Sequence, residues 1–350
     1  MNSRKGSEAS KGLVAKTHKS PAKEPAEIPP VTCPAKKYVF DLHSYVWKEL
    51  DTLIRVVRPS KGLGRGGMRV CYDVEELDEE GRSTGMVAKM FRRVITDVVE
   101  KDYFNEGEAQ CMCEIFANSF NRINVEGVEK PNISFLQCYV VRIPRRDIPK
   151  AYQDMSKGFF SYTTQDTKEM MFVMEPKLTG RFTKYNSNYG GVYREEKWED
   201  ATDTQTKRRS MIFEAAESFS HFTLAESGGS MLVCDLQGVN DLFTDPQIHT
   251  EDGKGLGMGN MGQEGIAKWV ENHCCNALCK SLGLQPLGND LKPLSSDDSK
   301  NRNYFICLRA QLQRHVPLRP QDLVPLVKPL EEMTENERFE YVLKLSELTS

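Results

Sequence analysis

Residues 62–91 read GLGRGGMRVCYDVEELDEEGRSTGMVAKMF, and the fold reading starts from this stretch. Gly62, Gly64, Gly66 and Gly67 fill four of six successive positions. Without a Cβ, such a turn lets backbone N–H groups come close to an anion. MRVCYDV (68–74) and MVAKMF (86–91) alternate or cluster apolar side chains, and the charged EELDEEGRSTG (75–85) joins them. That pattern predicts a β-hairpin. Lys89 stands in the second strand among apolar neighbours, where a cation costs desolvation unless an anion meets it. Taken singly, a glycine-rich turn reads first as a hairpin turn and a strand lysine as a solvated edge residue. Together they predict an anion-binding hairpin.

Working outward, residues 1–37 contain no Phe, Tyr or Trp and are rich in Lys, Ser, Ala and Pro. Such a segment cannot bury enough apolar surface to offset its ordering entropy, so a disordered basic tail is expected there. Ordered sequence is expected from Tyr38, with YVFDLHSYVWKELDTLIRVV (38–57) supplying aromatic and β-branched residues. Val98 to Ile123 has helical spacing of Phe104, Cys111, Ile115 and Phe116. ISFLQCYVVRI (133–143) and MMFVME (170–175) read as buried strands. Arg194 to Arg209 reads as a surface insertion or exposed helix, Ser230 to Thr250 as strands and turns, and Gly265 to about Gly283 as a helix after a glycine-rich loop. Residues 286–333 are assigned as a polar linker. The C-terminal 334–350 carries a capping-box start, Thr334 with Glu337, and an apolar face of Phe339, Val342 and Leu343, so an amphipathic helix is expected.

The bulk properties exclude several classes of function. Lys and Arg number 47 against 50 Asp and Glu, a formal charge of −3, which gives no global attraction to nucleic acid or anionic membrane. No apolar run approaches the roughly 20 residues a membrane helix needs, and the N-terminus lacks the apolar core of a secretory signal. A cytoplasmic protein is expected, with its ten cysteines reduced. Cys33, Cys71, Cys111, Cys113, Cys138 and Cys307 are scattered and read as buried small hydrophobes or inert thiols.

Two further constellations carry chemistry. In MLVCDLQGVNDLFTDPQIHT (231–250), an apolar strand delivers Asp235 at its end, Gln237 follows on the same side, and Asp245 lies beyond a short turn. Two carboxylates and an amide oxygen suit Mg²⁺ completed by substrate phosphates; the plainer reading is a strand cap and an Asp-Pro turn. In HCCNALC (273–279), Cys275 and Cys279 share a helix face. His273 cannot join that face in a continuous helix, since two residues turn it by about 200°. A metal site therefore predicts a helix break near His273. With His221 the set is Cys2His2, a closed zinc set, against the alternative of a cysteine-lined helix core. A glycine-rich turn, a strand, a hairpin and a strand lysine are also the order in which protein kinases hold ATP phosphates.

These constellations resemble the alpha-kinase family, of the elongation factor 2 kinase and myosin heavy chain kinase type. The resemblance runs from about Gly62 to Leu284 through GRGGMR, VAKMF, KYNSNYGGV, SFSHFT, VCDLQGVNDLFTDPQIHT and a GxGNxGxxG loop before HCCNALC. It implies an α+β, two-lobed kinase-like fold, with a β-rich small lobe (about 38–174) and a mixed large lobe (about 175–285) holding a structural zinc. It implies ATP, Mg²⁺ and Zn²⁺ as cofactors and transfer of the γ-phosphate to Thr or Ser of a protein substrate. Gly64, Gly66, Gly67, Arg69 and Lys89 would hold the phosphates, and Glu175 would lie in the hinge that receives adenine. Asp235 would be the catalytic aspartate, Gln237 and Asp245 the Mg²⁺ ligands, and His221, His273, Cys275 and Cys279 the zinc set, with Cys274 outside it. GLGMGNMG (255–262) spells GxGxxG but follows the catalytic strands, so a peptide-shaping loop is expected and not a dinucleotide site. Residues 38–57 are aromatic and amphipathic enough to bind calmodulin, or to pack on the small lobe. The competing class is a catalytically weak, zinc-stabilised binding module with a kinase fold; retention of Lys89, Asp235, Gln237 and Asp245 argues against it.

Overall fold

The computed structural model describes residues 28–41, 46–191 and 202–287, together with 305, 308 and 309. β1 (Val31–Asp41) and β2 (Val46–Val56) form one antiparallel hairpin. β3 (Gly64–Arg65) lies against β4 (Arg69–Leu77), which pairs with β5 (Ser83–Phe91) as the predicted second hairpin, Cys71 opposite Lys89. The helix α1 (Glu100–Arg122) follows, then β6 (Ser134–Phe135), β7 (Tyr139–Ile143) and β8 (Met170–Pro176). The sheet order is β2-β1-β7-β8-β5-β4-β3, and β2 also pairs with β4, so the sheet closes on itself.

Side-chain alternation explains what each face does. Val31, Cys33 and Ala35 of β1, Ile54 and Val56 of β2, and Met86, Ala88 and Met90 of β5 turn into the enclosed core with Val141, Phe172 and Met174. Lys89 and Phe91 therefore face the other way, where Val140, Met171 and Val173 pack against α1. Trp47 is buried edge-on against Phe104 of α1, and such burial stabilises by about 2–3 kcal/mol per side chain.

The larger lobe begins with β9 (Thr183–Lys184) and the long helix α2 (Asp203–Glu226), capped by Thr202 and Gln205. The short strands β10 (Met231–Cys234), β11 (Gln237–Val239), β12 (Leu242–Thr244) and β13 (Gln247–Thr250) follow. β10 pairs with β13, and β6-β12-β11-β9 form a separate sheet. The chain then enters α3 (Gly262–Asn272) and α4 (Ala277–Ser281). The α+β, two-lobed expectation is met.

Several boundaries are corrected. Residues 31–37, assigned to a tail, are strand, because β1 buries small side chains that carry little hydrophobic signal. The division at 174/175 falls inside β8. The segment offered for calmodulin is paired strand with Tyr38, Phe40 and Trp47 buried, so among the described residues it presents no amphipathic helix to a partner. The expected helix over 265–283 is two helices, broken at an extended His273, as a metal site requires. Phe305 and Leu308, placed in a polar linker, are buried in the core, and Phe305 stacks on Phe116 at 4.4 Å between ring centroids. The helix expected over 334–350, residues 1–27 and most of 288–333 lie outside the described residues.

Candidate active site

The pleat of β5 aims Lys89 at Thr244 and Asp245 of the larger lobe. Its Nζ donates to Glu175 Oε1 at 2.6 Å and to Thr244 Oγ1 at 2.8 Å, and lies 3.2 Å from Asp245 Oδ1. Thr244 in turn donates to the second oxygen of Glu175. Arg69, at the start of β4, bridges Glu106 Oε2 at 2.7 Å and Asp245 Oδ1. Two cations thus face three carboxylates, an excess of negative charge suited to a divalent cation. Burial alone would lower the pKa of Lys89, but the Asp245 and Glu175 carboxylates outweigh it and hold the ammonium above its usual range. Burial likewise works against the Asp245 carboxylate, yet Arg69 and Lys89 hold its pKa below the ordinary value. Lys89, Arg69 and Asp245 are therefore all charged at neutral pH.

The Glu175 side chain faces Lys89. Its carboxylate is spent on Lys89 and Thr244, leaving only the backbone for a contact with a base. At the glycine-rich turn, a Cβ added at Gly64 or Gly67 would meet no other atom within 4 Å. The chain's own packing thus leaves open space at these positions, as a phosphate cradle requires. Arg92 pins the turn by donating to Gly67 O at 2.5 Å.

Asp235 follows β10 with a left-handed backbone (φ 58°), and Asp245 shares that conformation (φ 59°), one that Asp tolerates better than most residues. Lys184 Nζ lies 2.5 Å from Asp235 Oδ1, and Gln237 Nε2 donates to Asp235 Oδ2 at 3.2 Å and to the Asp245 carbonyl at 3.2 Å. Gln237 thus links the two aspartates through its amide nitrogen. Presenting its oxygen to a cation takes a half-turn of the amide. Burial raises the Asp235 pKa, with Lys184 opposing. Gly238 makes this geometry possible, since a Cβ there would sit 2.1 Å from Leu242 O. No larger residue fits the tight β11–β12 turn.

His221, His273, Cys275 and Cys279 come together with ligand atoms all within 4.8 Å of one another. Cys275 Sγ is 3.6 Å from His221 Nδ1, and Cys279 Sγ is 3.8 Å from His273 Nε2. A tetrahedral zinc with Zn–S of about 2.3 Å and Zn–N of about 2.0–2.1 Å separates such atoms by about 3.6 Å, so the donor set fits the ion. Burial and the neighbouring His273 lower the His221 pKa to about 4, which keeps the imidazole neutral, as a ligand must be. His221 lies on α2. Cys274 is exposed and outside the set. His273 Nδ1 meets Glu217 Oε2 at 3.2 Å, the outer carboxylate that orients a ligating histidine. Glu217→Gln is expected to weaken zinc affinity by about 10- to 100-fold, read by competition against a coloured chelator.

With this geometry in place, comparison with known proteins decides the family. Residues 64–279 match the family model described as Alpha-kinase family. The chain belongs to the alpha-kinase family. It is 34% identical to myosin heavy chain kinase A of Dictyostelium discoideum over 213 residues, 60% of this chain and 15% of that protein. It is 30% identical to eukaryotic elongation factor 2 kinase of Homo sapiens over 260 residues, 72% of this chain and 29% of that one. The chain thus spans under a third of the length of either relative. Among solved structures, the alpha-kinase domain of myosin-II heavy chain kinase A in complex with AMP-PNP superposes with a TM-score of 0.58 at 28% identity, covering 74% of this chain and 97% of that one. The same domain in complex with ADP gives 0.57 at 28% identity, covering 73% and 98%.

Some members of this alpha-kinase site were not singled out from the sequence. Lys184 was visible only as part of KYNSNYGGV, and Asn186 of the same run accepts the Leu236 N–H at 2.8 Å and so holds the chain beside Asp235. Thr244 likewise was visible only as part of VCDLQGVNDLFTDPQIHT, and Glu106 and Gln110 carried no signal, because their partners are distant in sequence.

Proposed function

We propose that this chain is an ATP-dependent protein serine/threonine kinase of the alpha-kinase type. The observation that carries the reading is the buried Lys89–Asp245–Arg69 network with Asp235 held opposite it by Lys184. Phosphoryl transfer asks a protein mainly for positioning and charge neutralisation. Lys89 and the open glycine-rich turn would bind the ATP phosphates, and Gln237 and Asp245 would hold Mg²⁺, which supplies further neutralisation of the phosphates. Asp235 would orient the acceptor hydroxyl and take its proton, with Lys184 fixing the carboxylate. His221, His273, Cys275 and Cys279 would hold a structural zinc. The acceptor would be Thr or Ser of a protein, with targets of the elongation factor 2 or myosin heavy chain kind suggested by the relatives' names. No helix among the described residues is long and apolar enough to cross a membrane, and we place the protein in the cytoplasm.

The test is transfer of label from γ-labelled ATP to a threonine-containing helical peptide, with Asp245→Ala run beside the wild type. Labelled threonine is expected from the wild type, and a loss of at least about 100-fold from the variant. A wild type that binds Mg-ATP yet labels no peptide or protein sinks the reading.

A further inference from the structure

The ion pair with Arg69 occupies one oxygen of the Glu106 carboxylate, and the other oxygen has a different task. Glu106 Oε2 meets Arg69 at 2.7 Å, while Oε1 accepts the N–H of Met258 at 3.1 Å. Met258 belongs to GLGMGNMG (255–262), the loop expected to shape a peptide site. The fit is close. Gly257 has a left-handed backbone (φ 93°), and a Cβ added there would lie 2.8 Å from Glu106 Oε1. Glycine at 257 thus lets the loop seat against the carboxylate. Other bonds hold the loop from within its own lobe. Asn260 Oδ1 accepts the Thr250 and Gly262 N–H groups, both at 3.0 Å, and its Nδ2 donates to Gly255 O at 3.0 Å. The Met261 N–H donates to His249 Nδ1 at 3.1 Å. Glu106 instead reaches the loop from α1, as a member of the charged network around Lys89 and Asp245.

We propose that Glu106 is a positioning residue that ties the 255–262 loop to the nucleotide site, so that Mg-ATP and the protein acceptor bind cooperatively. The proposal rests on the reading of Lys89, Arg69 and Asp245 as that nucleotide site. Arg69 divides its guanidinium between Glu106 and Asp245. With Asp245 engaged by Mg²⁺, Arg69 keeps Glu106 as its direct carboxylate partner, and the undivided charge draws Oε2 closer. A carboxylate held in this way keeps Oε1 aimed at the Met258 N–H, and the loop loses freedom that an arriving peptide would otherwise have to remove. The chemistry asks for a carboxylate here, because both neighbours are donors. A glutamine has one acceptor oxygen, and its NH₂ group would face the other donor. Glycine at 257 and the carboxylate at 106 therefore form one device, in which the loop supplies the space and α1 the charge.

The experiment uses the full chain and reads amide hydrogen exchange over 255–262 by mass spectrometry, without nucleotide and at saturating Mg–AMP-PNP, with saturation set by calorimetry. Exchange in the wild type is expected to slow by about tenfold when the nucleotide binds. Glu106→Gln is expected to lose this response at its own saturating nucleotide concentration. With the threonine-containing helical peptide, it should raise the peptide KM by about tenfold, more than it lowers kcat. Gly257→Ala crowds Oε1 from the loop side without touching Arg69, and it should lose the exchange response too. It keeps the test open if Glu106→Gln fails to fold. Nucleotide binding with no exchange response in the wild type overturns the proposal alone. So does either variant with a wild-type response, or a Glu106→Gln that loses kcat at unchanged peptide KM. A wild type that binds no Mg–AMP-PNP overturns the nucleotide-site reading and the proposal with it. A wild type that binds it, shows the response and labels no peptide counts against the kinase reading and leaves the Glu106 tie standing.

Discussion

Lys89→Ala is expected to abolish phosphoryl transfer and, at the same time, to lower folding stability by about 3–5 kcal/mol. Read from the sequence, a cleft lysine should work on phosphates and leave the fold intact. The structure changes the second half of that expectation. Lys89 is 6% exposed and Glu175 only 2%, so removing the ammonium leaves a carboxylate buried with just the Thr244 hydroxyl for company. Asp245 loses one of its two cations as well. Breaking a buried pair by deleting one partner costs far more than the pair contributes, because the survivor stays uncompensated. The stability and catalytic effects separate in the double variant Lys89→Met with Glu175→Gln, which removes both charges at similar volume. It should regain most of the melting temperature and none of the turnover. Initial rate and thermal melting of both proteins decide the matter. A Lys89→Ala protein with near-normal rate and a large stability loss makes the residue purely structural.

Zinc removal is expected to be equally severe. A structural zinc in small domains supplies on the order of 10 kcal/mol at neutral pH, comparable with the whole stability of an ordinary domain, about 5–15 kcal/mol. Here the ion would join α2, through His221, to the segment from His273 to α4. The effect should reach Asp235, the proposed catalytic aspartate, along a short path. Ser220, beside His221, accepts from Asn186 Nδ2 at 2.9 Å, and Asn186 Oδ1 holds the Leu236 N–H next to Asp235. One zinc per chain is expected by elemental analysis, with strong chelation costing both melting temperature and activity. Cys279→Ser, at a buried ligand, should give insoluble or readily unfolded protein, and exposed Cys274→Ser should stay within about 0.5 kcal/mol of wild type. Zinc-free protein that melts and turns over normally removes the site.

What could be read from the sequence follows the reach of each signal. The β4–β5 hairpin and α1 announce themselves within short windows, by alternation and by helical spacing, and both stand where expected. The break at His273 was legible because a four-residue metal set drawn from HCCNALC asks for one there, and the chain is extended at that residue. The first seven residues of β1 were missed because their inward positions, Val31, Cys33 and Ala35, are small and the outward ones are Thr32, Pro34 and Lys36, the composition of a solvated tail. Their burial comes from the sheet that closes around them. The role of the Glu175 carboxylate was out of reach for a related reason, as its partner Lys89 lies 86 residues away and only the β5–β8 register brings them together. His221 sits in SFSHFT, aromatic and hydroxyl-rich, with weak helix propensity, yet tertiary packing makes it helix.

The closing pair β2–β4 has a consequence for colloidal behaviour. A sheet edge offers a row of backbone groups to any other chain, and long open edges seed self-association. Closure uses up both flanks of the first hairpin, and the strand left outermost, β3, is two residues long with Gly64 and Arg65 exposed. The second sheet is bounded by β6 and β9, also two residues each. These two sheets give another copy too short a template for strand addition, so when the concentrated protein clouds on heating, the trigger should be the opening of the β2–β4 seam, seen as early hydrogen exchange at Leu53–Val56 and Val74–Leu77.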